Sequence, residues 1–220
     1  RERERETSLD NMKRYGSTMK VNLALNKLPQ FTCLQENKGQ HNGTIHLLPP
    51  ENECEGGLMN HIRKGFEDSQ KGILPDFPTI EWYIHTQADP SLQDSDRHHN
   101  SAFFIQWSPY ELKESTWERE EEKYVHRLFS IADRFAPGFT DSIVDYSVLT
   151  PKKIESHFGI SYGHIHHIDN TFGFDERFPY TTAISGLYSC SAGCHPAGSV
   201  IGAAGYNASQ RILKDLGLET

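Results

Sequence analysis

Residues Ile184–Gly217 read ISGLYSCSAGCHPAGSVIGAAGYNASQRILKDLG. The pattern predicts a short strand over Gly186–Ser191, a glycine-rich turn over Ala192–Ser199 and a helix from about Val200 to Leu216. Gly202, Ala203, Ala204, Gly205 and Ala208 would leave one face of that helix nearly bare. A bare face at a helix start lets a backbone or a flat ligand come close. The N–H groups of Val200, Ile201 and Gly202 would then point outward with the positive end of the helix dipole behind them, an arrangement suited to an anion or an electron-rich carbonyl.

The rest of the chain divides by its punctuation. Val21, Leu23 and Leu25 alternate with Lys20, Asn22 and Asn26, which predicts a half-buried strand within residues 17–28, stopped by Pro29. Further strands are expected at 44–48, 79–85, 101–107 and 141–149, with a polar loop over 86–99. Gly57–Gln70 places Leu58, His61, Ile62 and Phe66 on one helical face. Ser115 and Glu118 have capping-box spacing ahead of the longest helix, whose core stripe is Trp117, Tyr124, Val125, Leu128, Ile131, Ala132 and Phe135. Thr150-Pro151 is an N-cap followed by proline at the first helical position, and that helix should end near Gly159. Strands grouped around few helices predict an α+β fold with a mixed or antiparallel sheet and flanking helices.

Composition excludes several functions. A formal charge of -8 does not provide the basic footprint of a nucleic-acid binder. Mean hydropathy is -0.63, and no run approaches the ~20 apolar residues of a transmembrane helix. The 4 cysteines, Cys33, Cys54, Cys190 and Cys194, fit neither a zinc template nor a dense disulfide framework, and Cys190 and Cys194 lie too far apart for a Cys-x-x-Cys redox pair. His164, His166 and His167 cluster in GHIHHID, but with no third acid or cysteine at ligand spacing no metal site is predicted.

The stretch GLYSCSAGCHPAGSVIGAAGYNAS resembles the C-terminal signature of the phytoene desaturase-like, amine-oxidase-type FAD oxidoreductases. Gly193, His195, Pro196, Gly198, Val200, Gly202, Ala203, Gly205 and Asn207 match that pattern, and Leu28, Pro29 and Phe31 match an earlier part of it. Ser191, Ala197 and Ser199 stand where the pattern has glycine, and each adds a side chain where the family's backbone lies against its cofactor.

The charge run RERERE makes residues 1–18 a charged tail, and the resemblance implies a substrate-domain-like sheet and helices over 19–160 and, over 161–220, the strand, turn and helix of an FAD-binding domain. It implies cofactor contacts at Gly193, His195, Pro196, Gly198, Val200, Ile201 and Gly202, with His195 the candidate catalytic group. That imidazole would polarise a flavin carbonyl or orient substrate, or else simply bond the turn backbone. His167 falls in a loop that faces the active-site cavity in the family.

A strand–G-x-G-x-x-G–helix fingerprint is missing, so FAD is expected only with a partner chain that supplies the Rossmann half, and otherwise no cofactor. The first residue is Arg1 rather than methionine, as expected of a processed organelle protein or an incomplete sequence. Two functions follow as expectations. The favoured one is a non-catalytic, accessory subunit docked with other protein subunits, for which the resemblance implies a mitochondrial membrane complex, on the matrix side, as host. The alternative is half of a split, active FAD-dependent oxidoreductase.

Overall fold

The computed structural model describes residues 15–34, 36, 38–198 and 200–218. Most of the expected charged tail, and Ser199 of the expected turn, lie outside these described residues.

Five strands form one sheet: β1 (Thr18–Leu25), β2 (Ile45–Leu47), β3 (Thr79–Ile84), β4 (His99–Gln106) and β5 (Ile143–Leu149), in the order β2-β3-β4-β1-β5. Every pairing is antiparallel, so of the two expected sheet types the antiparallel one is found. The helices are α1 (Leu58–Gln70), α2 (His85–Ala88), α3 (Trp117–Phe135), α4 (Pro151–Phe158) and α5 (Ala203–Asp215).

The period-2 pattern in the strands decides which face is buried. Met19, Val21, Leu23 and Leu25 of β1, Ile80, Trp82 and Ile84 of β3, and Phe103 and Ile105 of β4 all enter one core. Against it lies the α3 stripe of Trp117, Tyr124, Val125, Leu128, Ile131 and Ala132, together with Phe129, which the periodic reading omits. Trp82 is the hub, with ring centroids 4.6 Å from Phe139, 5.1 Å from Phe103 and 5.3 Å from Phe31, all edge-on. The opposite face of the sheet carries Lys20, Asn22, Glu81, Tyr83, Phe104 and Gln106 and is half-buried.

Several boundaries differ from the sequence reading. The expected loop at 86–99 contains α2 and a short 3-10 turn, Pro90–Leu92, whose N-terminus is capped by the Asp89 carboxylate accepting from Ser91 N at 3.0 Å. The capping box at Ser115 does not form. Thr116 holds the N-cap position without a side-chain bond to the helix backbone, and Ser115 instead donates to Glu120 Oε1 at 2.8 Å. At α4 the expectation is met: Lys153 N donates to Thr150 Oγ1 at 3.2 Å and Gly159 closes the helix in the left-handed region at φ 70.

The C-terminal segment departs most. No strand forms over Gly186–Ser191. This stretch folds back on residues 180–182 through one isolated bridge, Thr181 to Tyr188, and among the described residues it pairs with no other edge. Helix α5 starts at Ala203 rather than near Val200, because Val200 (φ 55) and Gly202 (φ 71) both adopt left-handed backbone that cannot belong to a right-handed helix.

Candidate functional site

Two regions hold the residues singled out above: the turn at 193–198, and a cavity beside the histidine loop.

The turn is built on this chain's own side chains. Phe178 N donates to Gly193 O at 3.0 Å, and Cys194, fully buried, donates from its Sγ to Ser189 Oγ at 3.2 Å. The Tyr180 hydroxyl donates to the His195 carbonyl at 2.6 Å and accepts from Asn207 Nδ2 of α5 at 2.9 Å. The His195 ring packs edge-on against Phe174 at 4.6 Å, and its bond to Pro196 is cis.

The two turn glycines are bare because neighbours need the room. A Cβ on Gly193 would lie 2.3 Å from Phe178 Cδ2, and one on Gly198 would lie 2.9 Å from His166 Nδ1. Ala197 sits at φ 81, backbone that glycine favours, at a position where the family pattern has glycine.

At the helix start the picture reverses. Nothing lies within 4 Å of a Cβ placed on Gly202 or Gly205, and Ile201 is 70 % exposed. Ala204 and Ala208 form the buried side of α5. Of the residues assigned to the cofactor by resemblance, Val200, Ile201 and Gly202 are therefore open to the outside, while Gly193 and Gly198 are packed internally. A flavin needs backbone it can lie against. Gly193 is buried against Phe178 and Gly198 backs onto His166, so these two glycines do not give a flavin the bare backbone that the resemblance implies, and no chemical step is derived through the turn.

The cavity lies elsewhere. About 710 Å³ of space opens between α1, the end of β4 and the loop at 164–171. Tyr15, Phe66, Phe104 and Trp107 supply aromatic walls, and Gln70 and Gln106 supply amide groups. Phe66 and Trp107 meet edge-on at 5.0 Å. His164 and His166 join this wall, whereas His167 turns away from it at φ 64 to pack over Gly193.

Burial holds all three imidazoles below their ordinary value. For His164 the nearby Asp169 charge opposes that effect, and for His166 the Arg177 guanidinium adds to it. The neutral ring of His164 accepts from His166 N at 3.2 Å. Among the described residues no three His, Cys, Asp or Glu side chains converge into a set that could hold a metal, and no helix is long and apolar enough to cross a membrane.

Sequence reasoning missed Arg177, Phe178, Tyr180 and Asn170, all of which shape this region. They lie in the stretch 169–180, where neither periodicity nor spacing marks them.

No family model matches the chain. The chain is 33 % identical over 207 residues to pyridine nucleotide-disulfide oxidoreductase domain-containing protein 2 of Rattus norvegicus. It is 34 % identical over 212 residues to the protein of that name from Mus musculus. In both cases the match takes in 90 % of this chain and 35 % of the relative, so the chain spans about a third of the length of the curated relatives it matches. With a third of its positions identical across nine-tenths of its length, the chain is a homologue of pyridine nucleotide-disulfide oxidoreductase domain-containing protein 2, matched over one part of that protein.

Proposed function

We propose that the chain acts as a non-catalytic, accessory part of an oxidoreductase-like assembly, holding the sheet and terminal segment of a flavoprotein without gripping the flavin itself. What carries this reading is the packing of the turn. Phe178 and His166 occupy the space behind Gly193 and Gly198 that a flavin-facing backbone would have to leave open. Exposed Ile201, Val200, Tyr206, Leu213 and Leu216 beside it give the segment an apolar surface to cover in an assembly. Other protein subunits are the proposed cover, and a mitochondrial complex on the matrix side is the proposed host, the latter on the family resemblance alone.

The second reading is half of an active FAD-dependent oxidoreductase, completed by a Rossmann-type partner chain. The aromatic-walled cavity of about 710 Å³ favours it, being of the size that holds a small organic substrate. Colour separates the two. The full chain is purified alone and co-expressed with a dinucleotide-binding domain, and each preparation is scanned through the flavin bands before and after denaturation. Colourless preparations support the accessory role. A bound flavin released on denaturation overturns it in favour of the enzyme half.

A further inference from the structure

Arg177 is a buried cation without a carboxylate. Only 7 % of its surface is exposed. Its Nη2 donates to Asn170 Oδ1 at 2.8 Å, while its Nη1 is enclosed and meets no acceptor. Among the described residues it belongs to no ion pair. A guanidinium taken out of water is tolerated where a negative group and filled hydrogen bonds offset the lost hydration, and a single neutral carboxamide does neither.

The surroundings say where the missing charge would come from. Asn170 is exposed and forms part of the wall of the 710 Å³ cavity, so Arg177 stands one side chain behind that wall. Another enclosed nitrogen without a partner, Trp107 Nε1, belongs to a residue of the same wall, whereas the unpartnered His166 Nδ1 backs onto Gly198 of the turn. Unmet polar atoms are rare in folded interiors, and the pair formed by Arg177 Nη1 and Trp107 Nε1 beside one cavity indicates a group absent from it. The aromatic wall suits an apolar body, and the planar fork of arginine matches the paired oxygens of a carboxylate or phosphate.

The geometry points to a binding site for an organic anion: its apolar body lies against Phe66, Phe104 and Trp107, and its acid group takes the place of the Asn170 carboxamide on Arg177. This site does not depend on flavin, so it stands or falls apart from the accessory role proposed above.

The test uses the full chain and titration calorimetry with four probes: 4-phenylbutyrate, phenyl phosphate, the neutral 4-phenylbutanamide and inorganic phosphate. Both acids, or one of them, should bind saturably at one site, with the amide and inorganic phosphate weaker by roughly tenfold or more. The tighter of the two acids identifies the headgroup as carboxylate or phosphate. Arg177→Gln should weaken acid binding by roughly 30-fold and leave the amide unchanged. Asn170→Ala, a change at an exposed position, should uncover the guanidinium and tighten acid binding; it tests the site even where the arginine variant fails to fold. Failure of both acids to bind, equal affinity for acid and amide, acid binding indifferent to Arg177→Gln, or no tightening in Asn170→Ala would each overturn the proposal.

Discussion

Asn207 Nδ2 lies 2.9 Å from the Tyr180 hydroxyl, a bond that ties α5 to the turn holding His195. The hydroxyl in turn donates a hydrogen bond to the His195 carbonyl at 2.6 Å. At the far end of the helix the Tyr188 hydroxyl donates to Asp215 Oδ2 at 3.0 Å, and Arg211 bonds the same carboxylate. The helix is thus moored by polar contacts at Asn207 and Asp215, and its only buried residues are Ala204 and Ala208.

Tyr180→Phe removes the relay and leaves the Asn207 amide and the His195 carbonyl without it. The expected cost is about 1–3 kcal/mol, felt locally. Amide hydrogen exchange should speed up in Ala203–Asp215 and in 193–197 while the sheet stays protected. Unchanged exchange in α5 would show that the mooring lies elsewhere.

Two glycine substitutions should differ in sign. Gly193→Ala drives a methyl into the Phe178 ring, 2.3 Å away, and should destabilise by about 1–3 kcal/mol. Gly205→Ala meets nothing within 4 Å inside α5, and should stabilise the helix by up to about 1 kcal/mol. Urea midpoints of the two variants against the parent chain decide the matter, and a Gly193→Ala variant no less stable than the parent would refute the packing described for the turn.

Stability should fall as the solution is acidified. His85, His99, His164, His166 and His167 are all held below the ordinary imidazole value of 6.5, chiefly by burial. Above that value both folded and unfolded chains are neutral at these rings, and the full stability is present. Below it the unfolded chain takes up protons that the folded chain refuses, so unfolding gains. Urea midpoints should drop between about pH 7.5 and about pH 5.5, and replacing His164 and His166 by Gln should flatten the slope. A midpoint constant over that interval would contradict the burial of these rings.

Phe139 touches Trp82, Phe103 and Phe129 and is 1 % exposed. Phe139→Ala should therefore cost about 3–5 kcal/mol. For a chain of this size each kcal/mol lowers the melting temperature by about 2–4 °C, so calorimetry should register a large drop. A drop of only a degree or two would mean that the aromatic hub repacks around the loss.

The sheet domain was legible in the sequence because its signals are periodic and local. Alternation in Val21, Leu23 and Leu25 identifies a strand whatever its neighbours are, and Thr150-Pro151 with Gly159 fixes both ends of α4. The C-terminal segment was not legible to the same degree. GLYSC alternates like a strand, yet a strand needs an edge, and among the described residues only 180–182 pair with it. Glycines at 193 and 198 read equally well as room for a ligand or room for a side chain, and only the positions of Phe178 and His166 distinguish the two. Arg177 was invisible for the same reason: burial of a loop arginine is a property of what folds over it.

The order β2-β3-β4-β1-β5 has a consequence for biosynthesis. Strand Thr18–Leu25 is the earliest of the five to leave the ribosome, yet its two neighbours are the latest, His99–Gln106 and Ile143–Leu149. At about 5–20 residues per second, this apolar ribbon waits several seconds with both hydrogen-bonding edges bare. The nascent chain is most open to mispairing during that interval, and a holding chaperone would have its target in Thr18–Leu25.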